Sequence, residues 1–370
     1  MKKISILTLL LFLLCLSSCA SSKTYDVKEY RTTMQFHEDF KILQITDIHL
    51  GIESDLEKQL NVVKSYIQEA NPDLIILTGD NFMYGSKEIV KNLIKTLNDE
   101  CRALTEKNNR LTKFAITFGN HDNQGDYPRY FINEVVLSYT TNDGDEIKDN
   151  KYAAFIDYED DDLYGLTNYY IDLVDDREKS LDTVDVKYRI HIIDSNTDHF
   201  TGIKYQYDVI HTEQLEHAIN IYNHATKDKD YIGLAFFHIP FEEFQFANEQ
   251  YQNTNNNIGQ GSFLEDALFP YENNGSYATL KQANISAFIV GHNHKIAADV
   301  IYNGESNNTD DKAILSFGVK ATNQLYHSDD MIGYKTITLK DNMTKEQFLS
   351  IKNVNENFIN VMNRNSQYEE

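Results

Sequence analysis

The chain has 370 residues, of which 41% are hydrophobic and 12% aromatic, with 16 Gly and 4 Pro. That is enough apolar material for one large α/β domain or two smaller ones, and it excludes disordered, collagen-like and linker-dominated architectures. Lys and Arg number 34 against 57 Asp and Glu, a formal net charge of -23, so the average surface repels duplex DNA or RNA and no nucleic-acid partner is expected.

At the N-terminus, Lys2 and Lys3 precede an apolar run from Ile4 to Leu16. The run is long enough for the core of an export signal but short of the roughly 20 residues that a membrane-spanning helix needs. It closes on Leu16-Ser17-Ser18-Cys19, which resembles the lipobox of bacterial lipoproteins. The resemblance implies a signal peptide over 1–19, cleavage before Cys19 and a diacylglyceryl group on its thiol. The mature protein is then expected on the extracytoplasmic face of a bacterial membrane, with that lipid as its membrane contact; an ordinary secretory signal cut near Ala20 is the alternative. Residues 20–38 are polar and aperiodic and read as a tether. The three cysteines, 15, 19 and 101, are too few for a disulfide framework. Cys101 falls on one helical stripe with Val90, Ile94, Leu97 and Leu104, the pattern of a buried core thiol.

A single domain is expected over 39–365. Lys41–Thr46 is a short apolar run, and Ser54-Asp55-Leu56-Glu57 has a capping-box pattern that opens a helix with Leu56, Leu60, Val63 and Ile67 on one face, stopped by Pro72. Asp73–Thr78 is a buried-strand run, Lys87–Glu106 an amphipathic helix and Lys113–Phe118 a third strand. This β-α-β-α-β order predicts a largely parallel sheet covered by helices. A Tyr-rich acidic stretch over about 140–186 reads as an insertion, with strand candidates at Tyr152–Tyr158 and Thr167–Val174 around the solvated run Glu159–Asp162. Alternation resumes with strand-like Tyr188–Ile193, a helix near Thr212–Tyr222 and strand-like Ile232–Phe237. Asn248–Gly261 is Asn/Gln-rich and reads as a flexible surface loop. Strands follow at Ser286–Val290, Ile296–Tyr302, Ala313–Phe317 and Lys335–Leu339, and Thr344 with Gln347 opens a final helix.

Five of these apolar runs end in metal-ligand chemistry: Asp47 and His49, Asp80, Asn120 and His121, His238, and His292 with His294. Any one of them is also what a turn-capping Asp or a hydrogen-bonded core histidine looks like. Their recurrence at successive strand tips is different, because the carboxyl ends of strands in open α/β sheets converge on the ligand crevice. Two carboxylates and several imidazoles gathered there are heavily penalised unless cations are present. Carboxylate, amide and imidazole ligation without thiolate suits Mn, Fe or Zn.

In order, these residues form Asp47-Ile48-His49, Gly79-Asp80, Gly119-Asn120-His121-Asp122, His238 and Gly291-His292-Asn293-His294. The series resembles the motifs of the calcineurin-like metallophosphoesterase superfamily, and the likeness extends over residues 40–340. It implies an α/β fold of four layers, α/β/β/α, with two mixed sheets face to face, helices outside and two divalent or mixed-valence metal ions at the strand tips. One ion would take Asp47, His49, Asp80 and His294 and the other Asp80, Asn120, His238 and His292, with Asp80 bridging. The implied reaction is phosphoester hydrolysis by a hydroxide shared between the ions. His121 would contact substrate and give a proton to the leaving oxygen, and Asp122 would support it from behind or merely shape the turn.

Departures from the motifs narrow the branch. Asp80 is followed by Asn81-Phe82-Met83-Tyr84-Gly85, not by the G-D-x-V-D-R-G continuation of protein serine/threonine phosphatases. Met83 stands where purple acid phosphatases place a tyrosine ligand. Phe236–Pro240 and Asp194-Ser195 nevertheless look like the purple-acid-phosphatase-like branch; Asp194 and Ser195 themselves read as a loop turn. The remaining histidines, 37, 191, 199, 211, 217, 224 and 327, fit no ligand spacing. The expected substrate is a small phosphomonoester or phosphodiester, because dense negative charge slows the approach of long polyanions. A non-catalytic surface binding lipoprotein on the same fold is the alternative.

Overall fold

A computed structural model describes residues 29–364 apart from 53–54, 125–127, 141–150, 156–162, 176–184, 226–229, 255–256 and 305–310. The signal segment and the acidic run Glu159–Asp162 lie outside the described residues. In chain order the first half contains β1 (Arg31–Gln35), β2 (Phe40–Ile45), α1 (Leu56–Ala70), β3 (Leu74–Thr78), α2 (Lys87–Asn108), β4 (Lys113–Thr117), α3 (Arg129–Thr140), β5 (Tyr169–Val174) and β6 (Val186–Ile192). A small hairpin, β7 (Asp198–Phe200) and β8 (Tyr205–Tyr207), precedes α4 (Thr212–His224), β9 (Ile232–Phe236), α5 (Glu243–Asn253), β10 (Gly259–Phe263), α6 (Ser276–Gln282) and β11 (Ile285–Val290). The chain closes with β12 (Ile296–Tyr302), β13 (Ala313–Phe317), β14 (Tyr334–Leu339), α7 (Lys345–Phe348), α8 (Ile351–Asn357) and β15 (Phe358–Val361).

Among the described residues the strands form an eight-stranded sheet, ordered β1-β5-β6-β9-β11-β13-β12-β10, and a five-stranded sheet, ordered β15-β14-β2-β3-β4. Both are mixed: β2, β3 and β4 run parallel with β14 antiparallel beside β2, while β6, β9, β11 and β13 run parallel between antiparallel neighbours. The period-2 alternation of a strand explains the layering. Leu234 and Phe236 of β9 pack into the same core as Leu43, Leu74 and Phe114 of the smaller sheet. Ala235 and Phe237 face the other way, onto Phe244 of α5 and Leu280 of α6. Helices α1 and α2 cover the outer face of the smaller sheet with Val63, Ile67, Ile94 and Leu97, so the order is helices, sheet, sheet, helices.

The helix boundaries follow local chemistry. Asp55, rather than Ser54, caps α1 by accepting from Lys58 N at 3.0 Å, and Asn71 ends the helix in the left-handed region just before Pro72. Thr344 and Gln347 form the expected capping box at α7. Cys101 is fully buried on the inner stripe of α2.

Several expectations are corrected. The tether assigned to 20–38 ends earlier, because Arg31–Gln35 form β1 and pair in parallel with β5; Met34 is buried in the main core. Of the stretch read as an insertion, the strand candidate Thr167–Val174 is borne out as β5, which lies within the large sheet between β1 and β6. Tyr152–Tyr158 supplies only an isolated bridge from Ala153 to Phe114 among its described residues. Asn248–Gly261 is not a loop throughout. Phe244, Ala247 and Tyr251 form a buried stripe that carries α5 to Asn253, and Gly259 begins an edge strand on β12. Met34→Ala is therefore expected to lower stability by about 2–5 kcal/mol in urea denaturation, as for a core truncation; a tether residue would change nothing.

Candidate metal centre

Backbone pairing between β2 and β3 of the smaller sheet continues past the strand tips. Asp47 N donates to Gly79 O (3.1 Å), His49 N to Asp80 O (2.9 Å) and Leu50 N to Asn81 O (3.0 Å). Gln44 Nε2 joins the two sheets by donating to Thr78 Oγ1 (2.9 Å) and to the Val290 carbonyl (3.0 Å). Asp47, His49, Asp80 and His292 all take left-handed backbone angles, with φ of 56°, 55°, 49° and 73°. Such angles cost of order 1–3 kcal/mol each at non-glycine residues and persist where surrounding contacts over-determine them. Glycines make room beside them. A Cβ on Gly79 (φ 89°) would sit 2.6 Å from His238 Nδ1, and one on Gly291 would sit 2.0 Å from Thr46 Oγ1 and 2.9 Å from Asp47 Oδ2.

The side chains gather into two donor groups, Asp47, His49, Asp80 and His294, and Asp80, His238 and His292, within each of which the ligand atoms lie no more than 4.8 Å apart. Asp80 belongs to both. His238 Nε2 is 3.2 Å and His49 Nε2 3.4 Å from Asp80 Oδ2, and His294 Nε2 is 3.2 Å from Asp47 Oδ1. Orientation is set from behind: His238 Nδ1 lies 2.9 Å from the Thr78 carbonyl and His294 Nδ1 2.8 Å from the Tyr326 carbonyl. When those Nδ1–H groups donate to the carbonyls, each Nε2 lone pair faces inward. Asp47 Oδ1, Asp80 Oδ2, His49 Nε2, His292 Nε2 and Asn120 Oδ1 are buried without a hydrogen bond of acceptable geometry. Such a set of inward-facing oxygen and imidazole donors fits divalent transition-metal ions.

The electrostatics agree. Burial opposes charge on Asp47 and Asp80, yet the neighbouring imidazoles hold both carboxyls below the usual range. Burial also opposes charge on His238, but the Asp80 carboxylate outweighs it and pushes the imidazolium up to about 9. Burial, joined by the charge of Lys320, lowers His49 to about 4, and burial with charged His238 lowers His292 to about 3.

His121 is placed differently from the ligands. Its backbone N donates to Asp80 Oδ1 at 2.8 Å, its Nε2 stands 4.0 Å from Asp80 Oδ2, and its side chain keeps 24% exposure on the open side of the site. Asp122, expected to support His121 from behind or to shape the turn, is wholly buried and braces two loops. It accepts from Gly119 N (2.8 Å), Phe82 N (2.7 Å) and Asn81 Nδ2 (3.3 Å), and burial with the nearby Asp80 charge raises it to about 7.

Sequence reading missed Lys320, Tyr207 and Tyr326 and took Asp194 and Ser195 for a loop turn. Lys320 is 1% exposed; its Nζ donates to the Asp47 carbonyl at 3.2 Å and lies 3.1 Å from His49 Nδ1. The one signal for it is position, just beyond the tip of β13. Ser195 Oγ accepts from the amides of His238 (3.2 Å) and Ile239 (2.9 Å), while Asp194 binds Arg129 Nη1 at 2.8 Å and Leu166 N at 2.6 Å, so this pair positions His238 rather than forming a simple turn. Tyr207 meets the His292 ring edge-on at 4.4 Å and Tyr326 stacks on His294 at 4.2 Å. None of the seven histidines set aside from the motifs joins either donor group.

The chain belongs to the calcineurin-like phosphoesterase family, whose pattern it matches over residues 40–295. Among curated proteins it is 25% identical over 274 residues to the phosphatase DCR2 of Saccharomyces cerevisiae, covering 69% of this chain and 44% of that one. It is 24% identical over 304 residues to "Probable inactive purple acid phosphatase 29" of Arabidopsis thaliana, covering 75% of this chain and 72% of the relative. The chain thus spans less than half the length of the yeast relative. A dimetal phosphatase from Danio rerio superposes with a TM-score of 0.45 at 11% identity, covering 82% of this chain and 94% of that one.

Two outcomes follow from the geometry. Gly291→Ala drives a methyl into Thr46 and Asp47 and should weaken metal affinity by about 10–100-fold, as disturbed ligand supports do, measured by calorimetric titration of the metal-free protein. Because a ligand imidazole must be neutral and metal-free His238 is protonated below about 9, metal binding should release close to one proton near neutral pH and tighten about tenfold per pH unit up to that value. Titration in two buffers of different ionisation enthalpy measures that release; pH-independent affinity would contradict it.

Proposed function

We propose that the protein is a binuclear metal-dependent phosphoesterase that hydrolyses small phosphomonoesters or phosphodiesters outside the cytoplasm, held at the membrane by a lipid on Cys19. The observation that carries the reading is the pair of buried donor groups sharing Asp80, with their inward atoms unsatisfied. Asp47, His49, Asp80 and His294 would hold one cation, and Asp80, Asn120, His238 and His292 the other. Two divalent cations so held acidify a water and neutralise phosphoryl oxygens, which is the chemistry in-line displacement at phosphorus requires.

The chain's own residues supply the rest. His121, a partly exposed imidazole 4.0 Å from the shared carboxylate, is placed to touch a bound phosphoryl group and to deliver a proton to the departing oxygen. Lys320 fixes the Asp47 carbonyl and the His49 ring, and Ser195 fixes the loop of His238. Tyr207 packs edge-on against His292, and Tyr326 stacks on His294. A net charge of -23 disfavours long polyanionic substrates.

A non-catalytic binding protein is the second reading, since one relative's printed name calls it inactive; the full ligand set retained here favours the enzyme. His121→Ala should lower kcat by about 10²–10⁴-fold while metal content is unchanged, whereas Asp80→Asn should lose both metal and turnover. Elemental analysis alongside assays with p-nitrophenyl phosphate and bis(p-nitrophenyl) phosphate separates the cases. Absence of turnover with Mn, Fe, Zn and Co alike would reject the enzymatic reading.

A further inference from the structure

Among the described residues, the exposed large apolar and aromatic side chains are concentrated at one end of the fold. Ile203, Tyr205 and Phe200, exposed by 91%, 72% and 53%, crown the β7–β8 hairpin, where Phe200 and Tyr205 pack ring to ring at 5.1 Å. That hairpin leaves the C-terminal tip of β6, directly after Asp194 and Ser195. Tyr130 and Phe131 are exposed in the first turn of α3, which Arg129 ties to Asp194. Leu264 and Leu268 stand on the loop that hydrogen-bonds Lys295 and Asn293, and Tyr326 covers His294. Tyr84 follows the Asp80 loop. Tyr164, also exposed, precedes β5 and stacks on His211 at 3.8 Å, and Ile359 sits within β15. Singly scattered apolar side chains need no explanation, but a ring of them around one opening does.

The same end receives the N-terminal segment. Strand β5 is antiparallel to β6 and β1 is parallel to β5, so β1, at the outer edge of the large sheet, begins at the end where β6 finishes, the end from which the ligand loops leave. Tyr30 is fixed there, its carbonyl accepting from Tyr170 N at 2.9 Å. Nine residues lie between Cys19 and Glu29, and the ten steps from one to the other reach at most about 35 Å even fully extended. A lipid on Cys19 therefore leashes this end of the domain, and not the opposite one, to the bilayer.

We infer that the rim of the metal centre, led by the β7–β8 hairpin, docks on the surface of a zwitterionic lipid bilayer, and that the substrate is a phosphoester carried by a lipid in that surface. The inference rests on the phosphoesterase reading and on the anchor. Tyrosine rings suit the interfacial layer, with an apolar body and a polar tip, and Lys204 beside Ile203 can bury its stem while its ammonium stays among the headgroups. The net charge of -23 disfavours anionic membranes and leaves apolar contact as the driving force. In the reaction, water's oxygen bonds to phosphorus, the bond from phosphorus to the ester oxygen breaks, and the proton passes to the departing alcohol.

The chain contains no tryptophan, so single replacements report locally. Ile203→Trp in full-length protein on phosphatidylcholine vesicles should shift its emission to the blue and be quenched by brominated lipid, while Ile359→Trp should do neither. No quenching at 203, or equal quenching at both positions, overturns the docking face. The double variant Phe200→Asp/Ile203→Asp should lose at least tenfold in rate on a phosphoester lipid in those vesicles and keep its rate on bis(p-nitrophenyl) phosphate. Equal loss on both substrates, or a loss seen only with a phosphorylated protein, overturns it as well. If the wild type hydrolyses neither ester, the phosphoesterase reading fails while the tryptophan pair still decides docking. The intact mass of membrane-extracted protein reports the lipid on Cys19 separately.

Discussion

Two carboxylates and four imidazoles confined to one water-poor pocket cannot all keep their solution charge states, and this electrostatic constraint shapes everything around them. Asp47 and Asp80 stay ionised through neighbouring imidazoles, His238 carries the compensating proton, and burial and neighbouring positive charge hold His49 and His292 neutral. The proton on His238 and the ammonium of Lys320 thus face the two carboxylates, and a metal ion would displace that proton. The pocket persists because the groups behind it are fully engaged, each orienting hydrogen bond coming from a different segment: Thr78, Tyr326, Ser195 and Lys320.

That arrangement explains why two sheets are needed. Asp47, His49, Asp80, Asn120 and His121 extend from the smaller sheet, and His238, His292 and His294 from the larger one, so neither sheet alone holds a complete ion site. Gln44 and Lys320 stitch the two tips together. Left-handed backbone at four ligand positions is strain that only such cross-connection sustains. The apolar core between the sheets sets their separation, and the tips convert that separation into ligand distances.

Much of this was legible in the sequence, for identifiable reasons. Strand runs such as Leu74–Thr78 and Ile285–Val290 are continuous and fully buried, so they stand out without any knowledge of their neighbours, and the ligand residues follow them directly. What escaped depends on long-range context. Arg31–Gln35 is a polar-looking pentapeptide whose strand state exists only because β5 offers it an edge. The helical stripe Phe244, Ala247 and Tyr251 is diluted by the buried Asn248 and by Gln252 and Asn253, which face outward. Lys320 and Ser195 lack any spacing to the ligands they position, being separated from them by 271 and 43 residues. Asp122 lay inside the recognised motif, but its role could be read only from the donors around it.

The convergence of strand tips also gives the centre its surroundings. Loops leaving those tips must turn back over the opening, and their outward side chains become its rim; the inward ones become its floor. A polar floor and an apolar rim are therefore two faces of the same loops, as the hairpin shows. Asp198 and Tyr207 at its base lie beside His121 and His292, while Phe200, Ile203 and Tyr205 point to solvent. Because β1 enters at this end, whatever holds the N-terminus also decides what the opening faces. A bilayer held within reach of that leash would meet the apolar rim first and would bring its headgroups to the depth at which the shared carboxylate and His121 are found.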